Sequence, residues 1–294
     1  MSEAAKRASE ARANREAIIE WYGKMVEAYK SLPEEKKREI DAWEHANLNA
    51  QTVGTSDWPG WEELIGRRPE ASSFARQNFR DERIRKIIAG ETSIEPDGKP
   101  RAILHIIPAK AFDPRVRFEL ASLQLETDRL RPIKGDTWKP KFEADGLVTL
   151  ALHEGKVHSY LKLFNSGIAE AASASLLTRV DKRPLISSAD FEAELFEVLL
   201  KVRSIQKELG VEPPLFVLLS LIGVKGYSMG YKRERYEFDG HPIEEENLLV
   251  PETVIESYDE DVDKVMRPVF DAVWRACGCP GSPNFDENDK WALR

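Results

Sequence analysis

Asp145, Glu154 and Lys156 are the residues whose types and spacing come closest to a known chemistry. An acid followed by a Glu-x-Lys pair is the set a metal-dependent nuclease uses. Its carboxylates converge on Mg²⁺ and its lysine sits by the scissile phosphate. Here Glu154 and Lys156 belong to a short turn, His153-Glu-Gly-Lys156, between two strand-like runs. Side chains at a turn tip point to water, so no residue is assigned a catalytic role. Cys277 and Cys279 are separated by one residue and have no further ligands that would complete a zinc site. A bridge across one residue would be strained. The five histidines, His45, His105, His153, His158 and His241, form no His-x-x-x-His or His-Glu-x-x-His pattern. His153 and His158 flank one turn, which lets them approach across a hairpin. Gly223 and Gly226 lack the Lys-Ser/Thr that completes a phosphate-binding loop. The expectation is a chain without metal or cofactor.

One cluster could bind rather than react. Arg67, Arg68, Arg76, Arg80, Arg83, Arg85 and Lys86 lie close together, most of them on one predicted helix. Phosphates are bound by such groups, and arginine suits bidentate contact. Asp81, Glu82 and Glu91 are interleaved and can pair with them locally. The whole chain carries a net charge of −8 over 294 residues, which excludes wholesale wrapping of nucleic acid. The charge is uneven, however. Residues 67–140 hold 16 basic and 11 acidic side chains, while residues 231–294 hold 8 and 16. Any nucleic-acid contact is thereby limited to one patch, with the acidic tail placed to mask it.

The elements that must position these residues follow from periodicity. Residues 3–31 read as a long helix ended by Pro33. Its seam, Ala4, Ala8, Ala11, Arg15, Ile18, Tyr22, Met25, Tyr29 and Leu32, steps by four and three as a heptad does. The bulky half, Ile18, Tyr22, Met25 and Tyr29, is the expected surface for a protein partner or a second copy. A second helix runs from about Pro33 to Asn47, and a loop pinned by Trp58 and Trp61 follows. A helical pattern over 73–89 stops at Gly90. The period then switches to strands at 102–107, 146–152, 157–164 and 168–177. A strong amphipathic helix carries Phe191, Leu195, Val198, Val202, Ile205 and Leu209, with Ser187 and Asp190 at its start. Residues 215–224 read as a buried strand, and a last helix carries Val262, Met266, Val269 and Val273 around Pro268. The expected fold class is α+β: an N-terminal helical module over 1–72, then a mainly antiparallel sheet with packed helices over 73–294.

At 41% hydrophobic residues the chain can bury a sizeable core. The longest apolar run, residues 215–224, is about half a bilayer span, so no membrane segment is expected. The N-terminus has no apolar signal region and there are only two cysteines, so the expected location is the cytoplasm.

Several motifs from Phe79 onward carry a resemblance. They are residues 79–92, Leu104-His-Ile-Ile-Pro108 with Phe112, Phe142-Glu-Ala-Asp-Gly146, residues 184–187, residues 210–214, Gly223-Val-Lys-Gly-Tyr227 and residues 267–271. Over roughly 79–292 the chain resembles the region that follows the AlbA-type, Schlafen-related domain in bacterial proteins labelled ATP- or DNA-binding. The AlbA-type domain itself is missing here, so labels about DNA cutting do not transfer. The segments around Trp43 and Trp58 more loosely resemble stretches found ahead of HNH nuclease domains, but no HNH chemistry follows. The resemblance implies a bacterial accessory protein of a regulatory or phage-defence setting, acting as a sensor or docking body and assembling through its N-terminal helix. Nucleic-acid binding through the basic helix is the alternative, and a metal nuclease the second alternative.

Overall fold

The structure is a computed structural model. It describes residues 23–47, 58, 60, 61, 64, 71–93, 100–125, 127–177, 184–230, 232–233, 236–237 and 241–292. The chain divides into two compact units, Met1–Asn78 and Phe79–Arg294. Ala71–Ile88 is a single helix that contains the boundary between them.

In the first unit, residues 23–31 (α1) are helical, and Glu34–Asn47 (α2) follows across Pro33. Glu34 and Glu35 occupy the first turn of α2, where the helix dipole favours acids. Ile40 is buried with Trp58 and Trp61. The two indoles meet edge to face at 5.5 Å.

The second unit is built on an eight-stranded sheet. Its main strands are β1 (Arg101–Pro108), β2 (Trp138–Glu143), β3 (Gly146–His153), β4 (Lys156–Phe164), β5 (Ala169–Ser173) and β7 (Leu215–Ile222). A short β6 (Leu185–Ser187) pairs in parallel with β8 (Ser228–Gly230). Two further short strands, β9 (Lys232–Arg233) and β10 (Tyr236–Glu237), form a ribbon. β11 (Asn247–Leu249) and β12 (Thr253–Ile255) both add to β7. The order across the large sheet is β11-β7-β1-β5-β4-β3-β2, antiparallel throughout. The fold is α+β.

Alternation along the strands makes two faces. Ala102, Leu104, Ile106, Leu161, Leu163 and Leu219 pack on one side against α4 (Ser188–Glu208) and α5 (Val262–Ala276). Ile103, Val148, Tyr160 and Ala172 pack on the other side against Ile84 and Ile87 of Ala71–Ile88 (α3). Helices cover both faces of β1, and all eight of its residues are buried. That is why the sequence there is a near-continuous apolar run rather than an alternating one. The amphipathic stripe predicted for α4 is the buried one. Its expected cap is not: Ser187 is the N-cap residue in extended conformation, but its side chain makes no capping bond.

On the α4 side a carboxylate anchors the C-terminal segment. Buried Glu192 accepts from the Trp274 and Trp291 indoles, each at 2.8 Å, from the Ser282 hydroxyl at 2.7 Å and from the Asn284 amide at 2.9 Å.

The β3–β4 hairpin turns through Glu154 and Gly155, with φ of 51° and 79°. Two positive φ values define the turn that matches strand twist. At the other end of β3, Gly146 sits against the Leu163 carbonyl oxygen, and a Cβ there would strike backbone. Gly146→Ala should therefore cost about 1–3 kcal/mol, as overpacking does. Gly155→Asn, in open space and in a conformation asparagine tolerates, should cost far less. Urea unfolding of the two variants checks the order, and equal losses would contradict it.

Candidate functional site

Glu170 lies in the middle of β5, opposite His105 of β1 and Lys162 of β4. This register places the three side chains on the α3 face of the sheet. Glu170 has no solvent exposure. A carboxylate moved out of water costs several kcal/mol unless its lone pairs are filled. All are filled here. Oε1 accepts from Arg83 Nη2 at 2.7 Å and from the Tyr160 hydroxyl at 2.6 Å. Oε2 accepts from Arg83 Nε at 2.8 Å and from His105 Nε2 at 2.9 Å. The ionised carboxylate assigns the donor role to His105 Nε2. His105 Nδ1 is buried and has no partner among the described residues.

Burial alone would raise the Glu170 pKa, but the bonds from Arg83 and His105 outweigh it and hold the group well below the usual carboxylate range. Burial likewise works against the charge on Arg83, and Glu170 more than offsets it, so Arg83 stays protonated. The Tyr160 phenol is pushed well up, first by burial and then by the neighbouring carboxylate. The cluster is thus a fixed ion pair with a phenol and an imidazole N–H as its further donors. Aromatic rings close its flank: Phe79 meets His105 and Phe164 at 5.6 Å, and the Arg83 guanidinium lies 5.3 Å from the Phe164 ring centre.

Next to this pair is a cavity of about 320 Å³ lined by Arg83, Tyr160, Lys162, Lys141, Glu143, Thr92 and other residues. Lys162 is almost wholly buried. It reaches Glu143 at 2.8 Å and Asp145 at 2.7 Å, and lies 4.6 Å from the Phe164 ring centre. Burial opposes the ionised form of Glu143, but bonds from Lys162 and Lys141 prevail and keep its pKa below the usual value. Glu170 takes two of the three Arg83 nitrogens, leaving Nη1 on a residue that lines the cavity. The Thr92 hydroxyl is buried with no partner among the described residues. Around the cavity stand the bases Arg83, Lys141 and Lys162 and the acids Glu91, Glu143, Asp145 and Glu170. The acids exceed the bases by one, so the space is polar without being an anion trap.

The residues singled out from sequence are divided by the structure. Arg67 and Arg68 lie outside the described residues. Arg76 is buried and Arg83 holds Glu170. Arg80 leans on Asp81, and Lys86 pairs with Glu82 at 2.6 Å. Of the described members only Arg85 is exposed and outside an ion pair. The set is not one exposed basic face, because helical spacing places Arg76, Arg80 and Arg83 on the stripe that turns inward. Ile18 and Tyr22 lie outside the described residues, whereas Met25 and Tyr29 pack on Ile40 and Trp61 within their own unit. The nuclease trio is also separated. Asp145 and Glu154 flank opposite ends of β3, a strand that spans roughly 23 Å at about 3.3 Å per residue.

His153 and His158 do approach, with ring centres 6.5 Å apart, and His158 Nδ1 lies 3.1 Å from the Ser175 hydroxyl. No set of three metal-binding side chains forms among the described residues. Cys277 is buried, and burial pushes its thiol up to about 11. No helix among the described residues is long and apolar enough to cross a membrane. No family model matches the chain, and neither curated proteins nor solved structures give a match.

Sequence reasoning missed Glu170 and His105, although a signal was present. Each is the one ionisable side chain in its strand-like run, 102–107 or 168–177, and the structure buries both strands along their whole length.

Glu170→Gln leaves Arg83 charged and unpaired in the interior, and should cost about 3–5 kcal/mol. Replacing Arg83 and Glu170 together by methionine should recover only part of that loss, because the buried Tyr160 and His105 donors then have no acceptor. The folded pKa of Glu170 is lowered, so its contribution is present above the ordinary carboxylate range and fades as pH falls. Unfolding of the wild type between neutral and acid pH should show this loss, and the double methionine variant should show a shallower one.

Proposed function

We propose that the chain is a non-enzymatic accessory protein of the sensor kind. The cavity beside Glu170 receives a small polar molecule, and α3 carries the effect of its binding. One observation supports this above others: Arg83 both lines the cavity and ties α3 to the sheet. An occupant that bonds Arg83 Nη1 therefore acts directly on the anchor of the helix. That helix begins in the first unit and ends in the second.

The charge around the cavity favours a neutral occupant rich in hydroxyl or amide groups, with Arg83, Tyr160 and Lys162 on its wall. The volume suits a nucleoside or a monosaccharide. The regulatory or phage-defence setting comes from the resemblance of residues 79–292, and the second unit starts at the same Phe79.

A thermal-shift screen of the full chain with nucleosides, monosaccharides and inorganic phosphate tests the reading. A neutral probe should stabilise the protein, by about 2.7 kcal/mol at a hundredfold excess over Kd. It should also slow amide exchange in residues 79–88. A saturating probe that leaves exchange in 79–88 unchanged would refute the sensor role. No binding by any neutral probe would refute the cavity as its input.

A further inference from the structure

The carboxylate on the other face of the sheet is held in a different way. Glu192 of α4 has no solvent exposure, yet none of its four donors carries a charge. Oε1 accepts from the Trp274 indole and the Ser282 hydroxyl. Oε2 accepts from the Asn284 amide and the Trp291 indole. Glu170 is bound to a guanidinium that cannot leave without baring two charges. Glu192 has only neutral donors, and water offers bonds of the same kind. Opening around Glu192 therefore exchanges hydrogen bonds for hydrogen bonds and separates no ion pair at the carboxylate itself.

Three of those donors come from one stretch, residues 282–291. It follows the last helix and contains only an isolated bridge, Phe285 with Trp291. The stretch closes on itself: the Asp286 N–H donates to the Lys290 carbonyl at 2.9 Å, and the Ala292 N–H to the Asn284 carbonyl at 2.8 Å. These bonds are internal and are kept if the stretch moves as a unit. Its outward attachments are few. Trp291 lies 5.0 Å from the Phe196 ring centre, and Phe285 packs on Phe196 and Phe270. The Ser282 N–H donates to Asp271 at 2.8 Å. At the exposed rim Lys290 pairs with Asp261 and Asp263, and Asp289 with Arg267, and pairs of that kind hold weakly. Between α5 and the stretch the chain turns at Gly278, with φ of 77°, and passes through the exposed Pro280 to Gly281.

We infer that residues 282–292 form a strap that swings on residues 278–281 and opens as a unit while the sheet stays folded, with Glu192 as its latch. Closed, the strap covers a hollow walled by Phe196, Phe270 and Trp274 around the Glu192 carboxylate. Open, it uncovers that hollow, so the strap is a gate for an aromatic surface unrelated to the cavity beside Glu170.

Native-state hydrogen exchange of the full chain, read by NMR with labelled indole and backbone nitrogen, tests this. The Trp274 indole N–H is the telling probe. It stays on α5, but water reaches its acceptor only when the strap is open. In the wild type it should exchange together with the Trp291 indole and the Ser282 amide. All three should exchange at least tenfold faster than the amides of β1 and β7, with a weaker dependence on urea. Glu192→Gln should speed the three by a further tenfold or more and leave β1 and β7 unchanged. If that variant loosens the sheet as well, Trp291→Phe decides, because it keeps a ring against Phe196 and removes one donor. It should speed the Trp274 indole and the Ser282 amide alone. A wild-type Trp274 indole that exchanges at the rate and urea dependence of the β1 amides overturns the inference. So does a Trp291→Phe protein in which strap and sheet are speeded equally, or in which neither changes.

Discussion

A carboxylate at the centre of a sheet sets the terms for the second unit. Glu170 is fully buried, and its four acceptor positions need four donors. They come from three directions: Arg83 on α3, His105 on β1 and Tyr160 on β4. Remove one and the penalty is a partly bare charge in a low dielectric, not merely a lost contact. The register of β1, β5 and β4 and the position of α3 are therefore linked through one side chain. The opposite face repeats the device. Glu192 gathers donors from α5 and from residues 282–291 and ties the chain's last segment to α4. Hydrophobic burial supplies most of the stability on both faces, but these two carboxylates specify which arrangement is stable.

Periodicity revealed the elements that apolar packing governs. The β3–β4 hairpin, the stripe of α4 and the buried β7 all appear as predicted, because alternation and a 3.6-residue repeat follow directly from which side faces the core. Polar partners are a different matter. Arg76, Arg80 and Arg83 recur at four- and three-residue steps, and that spacing places them on one stripe. It does not say whether the stripe meets water, phosphate or a buried acid 87 positions away in the chain. The isolated Glu170 among small residues was the missing half. A charged residue in a strand buried on both faces demands a counter-charge, and the nearest unassigned arginine stripe was the place to look.

The same logic changes what the charge asymmetry means. Residues 67–140 are basic in sum, yet Arg83 belongs to Glu170, Arg129 to Glu208 and Arg131 to Glu194 and Glu197. A local excess of base is spent on acids supplied by later segments. Sequence windows count charges, while the fold pairs them across long separations. The nuclease pattern fails on a similar distinction. Asp145 and Glu154 are close in sequence but lie at opposite ends of a strand, since an extended strand separates its ends more than any other element.

What a ligand could do at the cavity is bounded by the strength of the Arg83 anchor. Breaking a buried ion pair costs about 3–5 kcal/mol, and a ligand shifts an equilibrium only by its differential affinity for the two states. A small neutral molecule with a few hydrogen bonds cannot supply that difference by competing for Glu170. It can supply a smaller difference by adding a bond to Arg83 without displacing Glu170. The arrangement therefore favours tightening over release: an occupied cavity would hold α3 more firmly, and an empty one leaves it to the Glu170 bond and the packing of Ile84 and Ile87.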